Sequence, residues 1–108
     1  MIVEYLEEVY NFHELYNLIA DKQQILPQRK GQKDYSNIEY EINLLANNLI
    51  QKISVFKQIS DNEIKQFIPQ LDNIVYGCYE VINNPYKTKI HRTDLSIQRK
   101  QIDNIKKR

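Results

Sequence analysis

The chain has 108 residues, 42% of them hydrophobic and 27% charged, with a net charge of +1. That describes a single globular domain and lies outside the range of disordered segments. Two Gly and three Pro are too few for the many tight turns of an all-β sandwich, and a single Cys, Cys78, excludes an internal disulfide framework and a multi-Cys zinc site.

Residues 2–20 are predicted to form a first helix. Ile2, Leu6, Val9, Phe12, Tyr16 and Ile19 recur at spacings of three and four, and Glu4, Glu7, Glu8, Asn11 and Glu14 fall opposite them. Residues 21–34 then lose all periodicity. They hold Pro27, Gly31 and four bases (Lys22, Arg29, Lys30, Lys33), and they are longer than most helix–helix connections, so the expectation is a mobile or functional loop.

Two similar helix starts follow, at Ser36 with Glu39 and at Ser60 with Glu63. Ser at the N-cap and Glu three residues later satisfy each other's free amides, and the flanking apolar residues form a staple. The first start opens a helix over about 37–58 with the stripe Ile38, Ile42, Leu45, Leu49, Ile53 and Phe56. The second opens a helix carrying Ile64, Phe67, Ile68, Leu71, Ile74, Val75, Cys78 and Ile82. Pro69 lies inside that pattern and either bends the helix or splits it with a restart. Asn83-Asn84-Pro85 stops it, with Asn suited to a left-handed cap.

Residues 85–92 are predicted to be a loop. Thr93 or Asp94 caps a short fourth helix with Leu95, Ile102 and Ile105 facing inward and Lys106-Lys107-Arg108 at a frayed end. The expected fold is all-α: an antiparallel three- to four-helix bundle with a long helix 1–helix 2 loop. Residues 1–92 form its core, and 93–108 form a basic C-terminal helix or tail of the same domain. No run of about 18 apolar residues marks a membrane span. Met1-Ile2-Val3-Glu4 places an acid where a secretory leader carries bases, so the expected location is cytoplasmic.

The small net charge conceals strong segregation. Residues 1–21 hold five acids and no base, 22–33 four bases and no acid, 34–84 seven acids against three bases, and 85–108 eight bases against two acids. One reading is internal neutralisation and helix-dipole complementarity, because the two chain ends lie side by side in an up-down-up-down bundle. The other is recognition: an acidic first helix steers a basic partner, or a basic tail contacts phosphates.

Catalytic chemistry finds little support. His13-Glu14 fails the zincin spacing because residue 17 is Asn, and His13 reads as a helix-flank residue. Two His and one Cys do not define a metal site, so no metal and no cofactor is expected. His91-Arg92 resembles a ribonuclease dipeptide but is a pair common by chance. Cys78 sits on an apolar stripe and reads as a small buried hydrophobe. Glu39 and Glu41, two apart, point to different faces, which disfavours paired-carboxylate chemistry. Eight Tyr, no Trp and an amide coat on the middle helices (Asn43, Asn47, Asn48, Gln51, Gln66, Gln70) reflect AT-rich codon usage or an uncharged interface.

His13-Glu14-Leu15-Tyr16 ahead of a long helical hairpin is similar to some bacteriocin immunity bundles. One compact domain, the lack of a catalytic constellation, a four-carboxylate stripe on the first helix and Tyr nearby lead to the expectation of a small non-enzymatic inhibitor, of the bacterial immunity-protein or antitoxin type, that neutralises a protein partner such as a basic toxin or nuclease. The resemblance supplies no functional residue. From charge and position, the expected partner-binding residues are Glu4, Tyr5, Glu7, Glu8 and Glu14. The alternative is a nucleic-acid accessory protein using Arg29, Lys30, Lys33, Lys87, Lys89, Arg92, Arg99 and Lys100. Self-association as a homodimer is a further expectation, through apolar surface left open on the third helix by a thin fourth one.

Overall fold

A computed structural model describes residues 2–85 and 89–107; among them it contains helices and no strand. The four α-helices are α1 (Ile2–Ile25), α2 (Tyr35–Lys57), α3 (Ile68–Asn83) and α4 (Ser96–Lys106). Single 3₁₀ segments precede α2 (Leu26–Arg29) and α3 (Asn62–Phe67). The chain is therefore all-α. No helix is long and apolar enough to cross a membrane among the described residues.

The apolar stripes account for the packing. Leu6, Val9, Phe12 and Ile19 of α1, Ile42, Leu49, Ile53 and Phe56 of α2, and Leu71, Ile74 and Cys78 of α3 are all buried in one core. α1 packs against α2, α3 and α4, while α2 packs against α3. Phe56 is the hub. Its ring meets Tyr5 and Phe12 edge-on, at centroid distances of 6.0 and 5.5 Å, and lies tilted 6.5 Å from Phe67. Edge-to-face pairs of this kind contribute about 0.5–1.5 kcal/mol each beyond their buried area. Ion pairs join successive helices end to start: Lys22 near the end of α1 meets Glu41 early in α2 at 2.6 Å, and Lys57 meets Asp72.

Helix boundaries depart from the expected ones for local reasons. α1 continues to Ile25, with Gln23 buried and bonded to the Pro85 carbonyl and the Ile90 amide, and Pro27, which cannot donate to the preceding turn, closes it into the 3₁₀ turn. The connection to α2 is tightly organised. Leu26 is fully buried, Gly31 takes a φ of 86° that other residues avoid, and the Arg29 guanidinium grips Asp34 with two hydrogen bonds of 3.1 and 2.8 Å.

Neither serine caps a helix. α2 begins at Tyr35, ahead of Ser36, and its N-cap Asp34 makes no capping bond because its carboxylate is held by Arg29. At the second start Asp61 displaces Ser60: its Oδ1 accepts from the Glu63 amide at 2.9 Å. That start opens the 3₁₀ segment, and α3 restarts at Ile68 with Pro69 in the first turn, where a missing N–H costs nothing. The split at Pro69, rather than a bend, is the outcome. Asn84 ends α3 in an extended conformation (φ −154°), not the left-handed one.

α4 begins after Asp94, whose Oδ1 accepts the Ser96 amide at 3.0 Å. That bond and the Ser96 hydroxyl hold the Asp94 carboxyl below its ordinary value. Ile102 is buried, and Leu95 and Ile105 are half-buried. Burying one Ile contributes about 1.5–3 kcal/mol, so α4 is the most lightly anchored helix.

Candidate functional site

α1 carries the expected partner-binding residues Glu4, Tyr5, Glu7, Glu8 and Glu14. Its 24 residues present three faces. One is the core stripe. The second turns toward α4 and the segment before it. The third runs through Glu4, Glu8, Asn11, Leu15 and Leu18, residues that step by three, four or seven and so share one side of the helix.

The face toward α4 is occupied from within. Glu7 pairs with Lys106 at 2.6 Å, Asp21 pairs with Arg92, and the Arg99 guanidinium lies 5.8 Å from the centre of the Tyr10 ring. Two buried amides do the remaining work. Asn17 donates from Nδ2 to the Thr93 carbonyl at 3.0 Å and accepts the Thr93 amide on Oδ1 at 2.7 Å. Gln23 donates to the Pro85 carbonyl at 3.1 Å and accepts the Ile90 amide at 2.9 Å. Each amide satisfies one backbone acceptor and one backbone donor of the segment before α4, Asn17 at Thr93 and Gln23 at Pro85 and Ile90. The sequence reading missed both residues. The signal was present, since Leu6, Val9, His13, Asn17 and Ala20 form a second stripe at helical spacing, and all five are buried.

The solvent face is open. Glu4 and Glu8 are exposed there and carry no ion pair among the described residues, while Glu14, also exposed and without an ion pair, lines the groove toward α4 with Glu7, Tyr10 and Arg99. An open groove of about 560 Å³ runs between α1 and α2, with Phe12, Leu15 and Val55 as its apolar walls and Glu8, Asn11, Asn48, Gln51 and Lys52 as its polar ones. Leu18 and Leu44, 42% and 46% exposed, fall between this groove and the Lys22–Glu41 pair. Acid at one end and aliphatic surface at the other make this strip suited to a basic, partly apolar partner.

Tyr5 does not belong to that strip. Its ring is buried against Phe56, and its hydroxyl donates to Asp61 Oδ2 at 2.9 Å. The hydrogen bond to Asp61 raises its ionisation above the ordinary tyrosine value, with desolvation adding to the effect. An aromatic ring with a polar tip closes the core edge here, so the sequence alone could not assign it to a surface. His13 is likewise no flank residue: it is buried, with Nε2 2.8 Å from Gln70 Oε1.

The candidate phosphate contacts divide. Arg29, Arg92 and Arg99 are engaged by Asp34, Asp21 and Tyr10. Lys30, Lys33, Lys89 and Lys100 are exposed, and Lys87 lies outside the described residues. His91 lines a separate groove beside Gln23 and Ile90. Cys78 is fully buried, and burial pushes its thiol up to about 12. Among the described residues no group of three His, Cys, Asp or Glu is placed to hold a metal ion.

No family model, curated protein or solved structure matches this chain. Its function is therefore argued from the geometry above.

Proposed function

We propose that the chain is a small non-enzymatic protein-binding inhibitor that docks a basic partner on the solvent face of α1. The observation that carries this reading is the strip itself: the carboxylates Glu4 and Glu8 carry no ion pair among the described residues, and Glu8 lines a groove walled by Phe12, Leu15 and Val55. On this reading the helices form an antiparallel bundle, in keeping with the end-to-start ion pairs, and the bundle serves as a rigid mount. The protein uses no cofactor and acts in the cytoplasm, as immunity proteins and antitoxins do.

The nucleic-acid alternative is weaker because three of its arginines are committed within the molecule. It retains Lys30, Lys33, Lys89 and Lys100, and a gel shift with duplex DNA at low salt tests it.

The docking face is tested by capture from the source cell with the parent chain and with Glu4→Lys/Glu8→Lys. The expected result is a protein retained by the parent at low salt and bound about tenfold more weakly by the double reversal, a change of about 1.4 kcal/mol. Equal retention by both chains would overturn the assignment.

A further inference from the structure

We infer that the groove between the end of α1 and the segment before α4 binds a small amphipathic anion, its apolar body on Ala20, Pro27 and Ile90 and its acidic head on Lys89 and His91. None of the lining residues belongs to the strip carrying Glu4 and Glu8 or to the groove beside it, so the inference stands apart from the docking reading. The groove holds about 400 Å³, within the roughly 300–1,000 Å³ that small-molecule sites occupy. Its apolar lining is buried Ala20, half-buried Ile90 and exposed Pro27. Such sites pair an apolar wall with a few polar groups that orient the ligand.

The polar groups here are basic. Lys89, His91 and Arg92 all line the groove, and no acid lines it among the described residues. Asp21 engages Arg92, whereas Lys89 and His91 carry no ion pair among the described residues. Aliphatic surface beside uncompensated bases fits a ligand with an apolar body and a negative head and opposes a cation. The bases are also positioned beforehand. Gln23 Oε1 accepts the Ile90 amide at 2.9 Å, and Asn17 takes the Thr93 amide at 2.7 Å and gives a hydrogen bond to its carbonyl at 3.0 Å. The stretch Lys89-Ile90-His91-Arg92, which has no regular structure of its own, is therefore tied from within and just beyond its end to two side chains of α1 that are themselves buried. A ligand arriving there does not have to order it, which lowers the cost of binding.

The test is a titration of the full chain followed by backbone amide NMR shifts, with naphthyl phosphate and naphthoate as probes: one aromatic body bearing either of two acidic heads. Inorganic phosphate and naphthalenemethanol are the controls, each supplying one half of the ligand. The amides of Gln24, Ile90, His91 and Arg92 should shift saturably with at least one of the aromatic anions, at an affinity about tenfold or more above that of either control. The stronger of the two probes identifies the head group as phosphate or carboxylate. Lys89→Glu/His91→Gln changes two exposed positions and should weaken binding about tenfold while the rest of the spectrum stays as in the parent. Glu4→Lys/Glu8→Lys should bind the probe as the parent does, whatever becomes of its protein partner. Inorganic phosphate or the neutral alcohol binding as tightly as the aromatic anions would mean an adventitious contact only and would overturn the inference. So would shifts without saturation, shifts scattered away from the groove, or a Lys89→Glu/His91→Gln chain that binds like the parent.

Discussion

Asn17→Ala should loosen the segment that leads into α4. The side chain is 4% exposed and makes two hydrogen bonds to the same residue, one to the Thr93 carbonyl and one from its amide. Each contributes about 1 kcal/mol net, so the loss is about 2 kcal/mol. For 108 residues an unfolding entropy of about 0.23 kcal/mol/K turns that into a fall in Tm of about 9 °C. Asn17→Asp should cost more than Ala: it keeps an acceptor for the Thr93 amide but turns a second oxygen on the Thr93 carbonyl and brings a charge into a buried site. Asn47→Ala is the comparator, an exposed amide bonded to Asn43 within its own helix, with an expected change within about 0.5 kcal/mol. Urea titration followed by far-UV circular dichroism measures all three, and hydrogen exchange at the Thr93 amide reports the site directly. An Asn17→Ala chain as stable as Asn47→Ala, or an Asp variant milder than the Ala variant, would refute the reasoning.

Gly77→Ala should destabilise by about 1–3 kcal/mol, because its Cβ would overlap the Tyr16 hydroxyl and stand 2.9 Å from Cζ. In a Tyr16→Phe background the penalty should shrink by more than about 0.5 kcal/mol in a double-mutant cycle by urea denaturation. Cys78 should resist a thiol-specific colorimetric reagent in the folded chain and react at once in denaturant. Its unfolded thiol ionises near 9 and its folded one at about 12, so its contribution to stability is complete below pH 9 and is lost as pH rises toward 12. Cys78→Ala should accordingly flatten the pH dependence of the urea midpoint in that interval.

The four helices were legible in the sequence because burial demands repeats of three and four, and nothing in tertiary packing overrides a stripe as regular as Ile42, Leu49, Ile53 and Phe56. Their ends were not, because capping is a competition. Ser36 and Ser60 are good caps in isolation, yet Arg29 engages the carboxylate beside the first, and Asp61 outbids the second with an acceptor that also holds Tyr5. The acidic strip was half legible. Glu4, Glu8 and Glu14 are exposed as charge predicts, whereas Glu7 is matched to a lysine almost the whole chain away, and Tyr5 turns inward. Asn17 and Gln23 were the hardest to see. Their partners are backbone groups more than sixty positions later, and a backbone carries no letter in the sequence to search for.

The aromatic knot around Phe56 has a practical corollary. With no Trp in the chain, the usual fluorescent reporter is missing. Phe56 nonetheless stands edge-on to rings from α1 and beside one from the 3₁₀ segment, so magnetic shielding moves the resonances of Tyr5, Phe12 and Phe67 together. A single proton spectrum thus follows assembly of three separate stretches of polypeptide, with no label and no engineered probe.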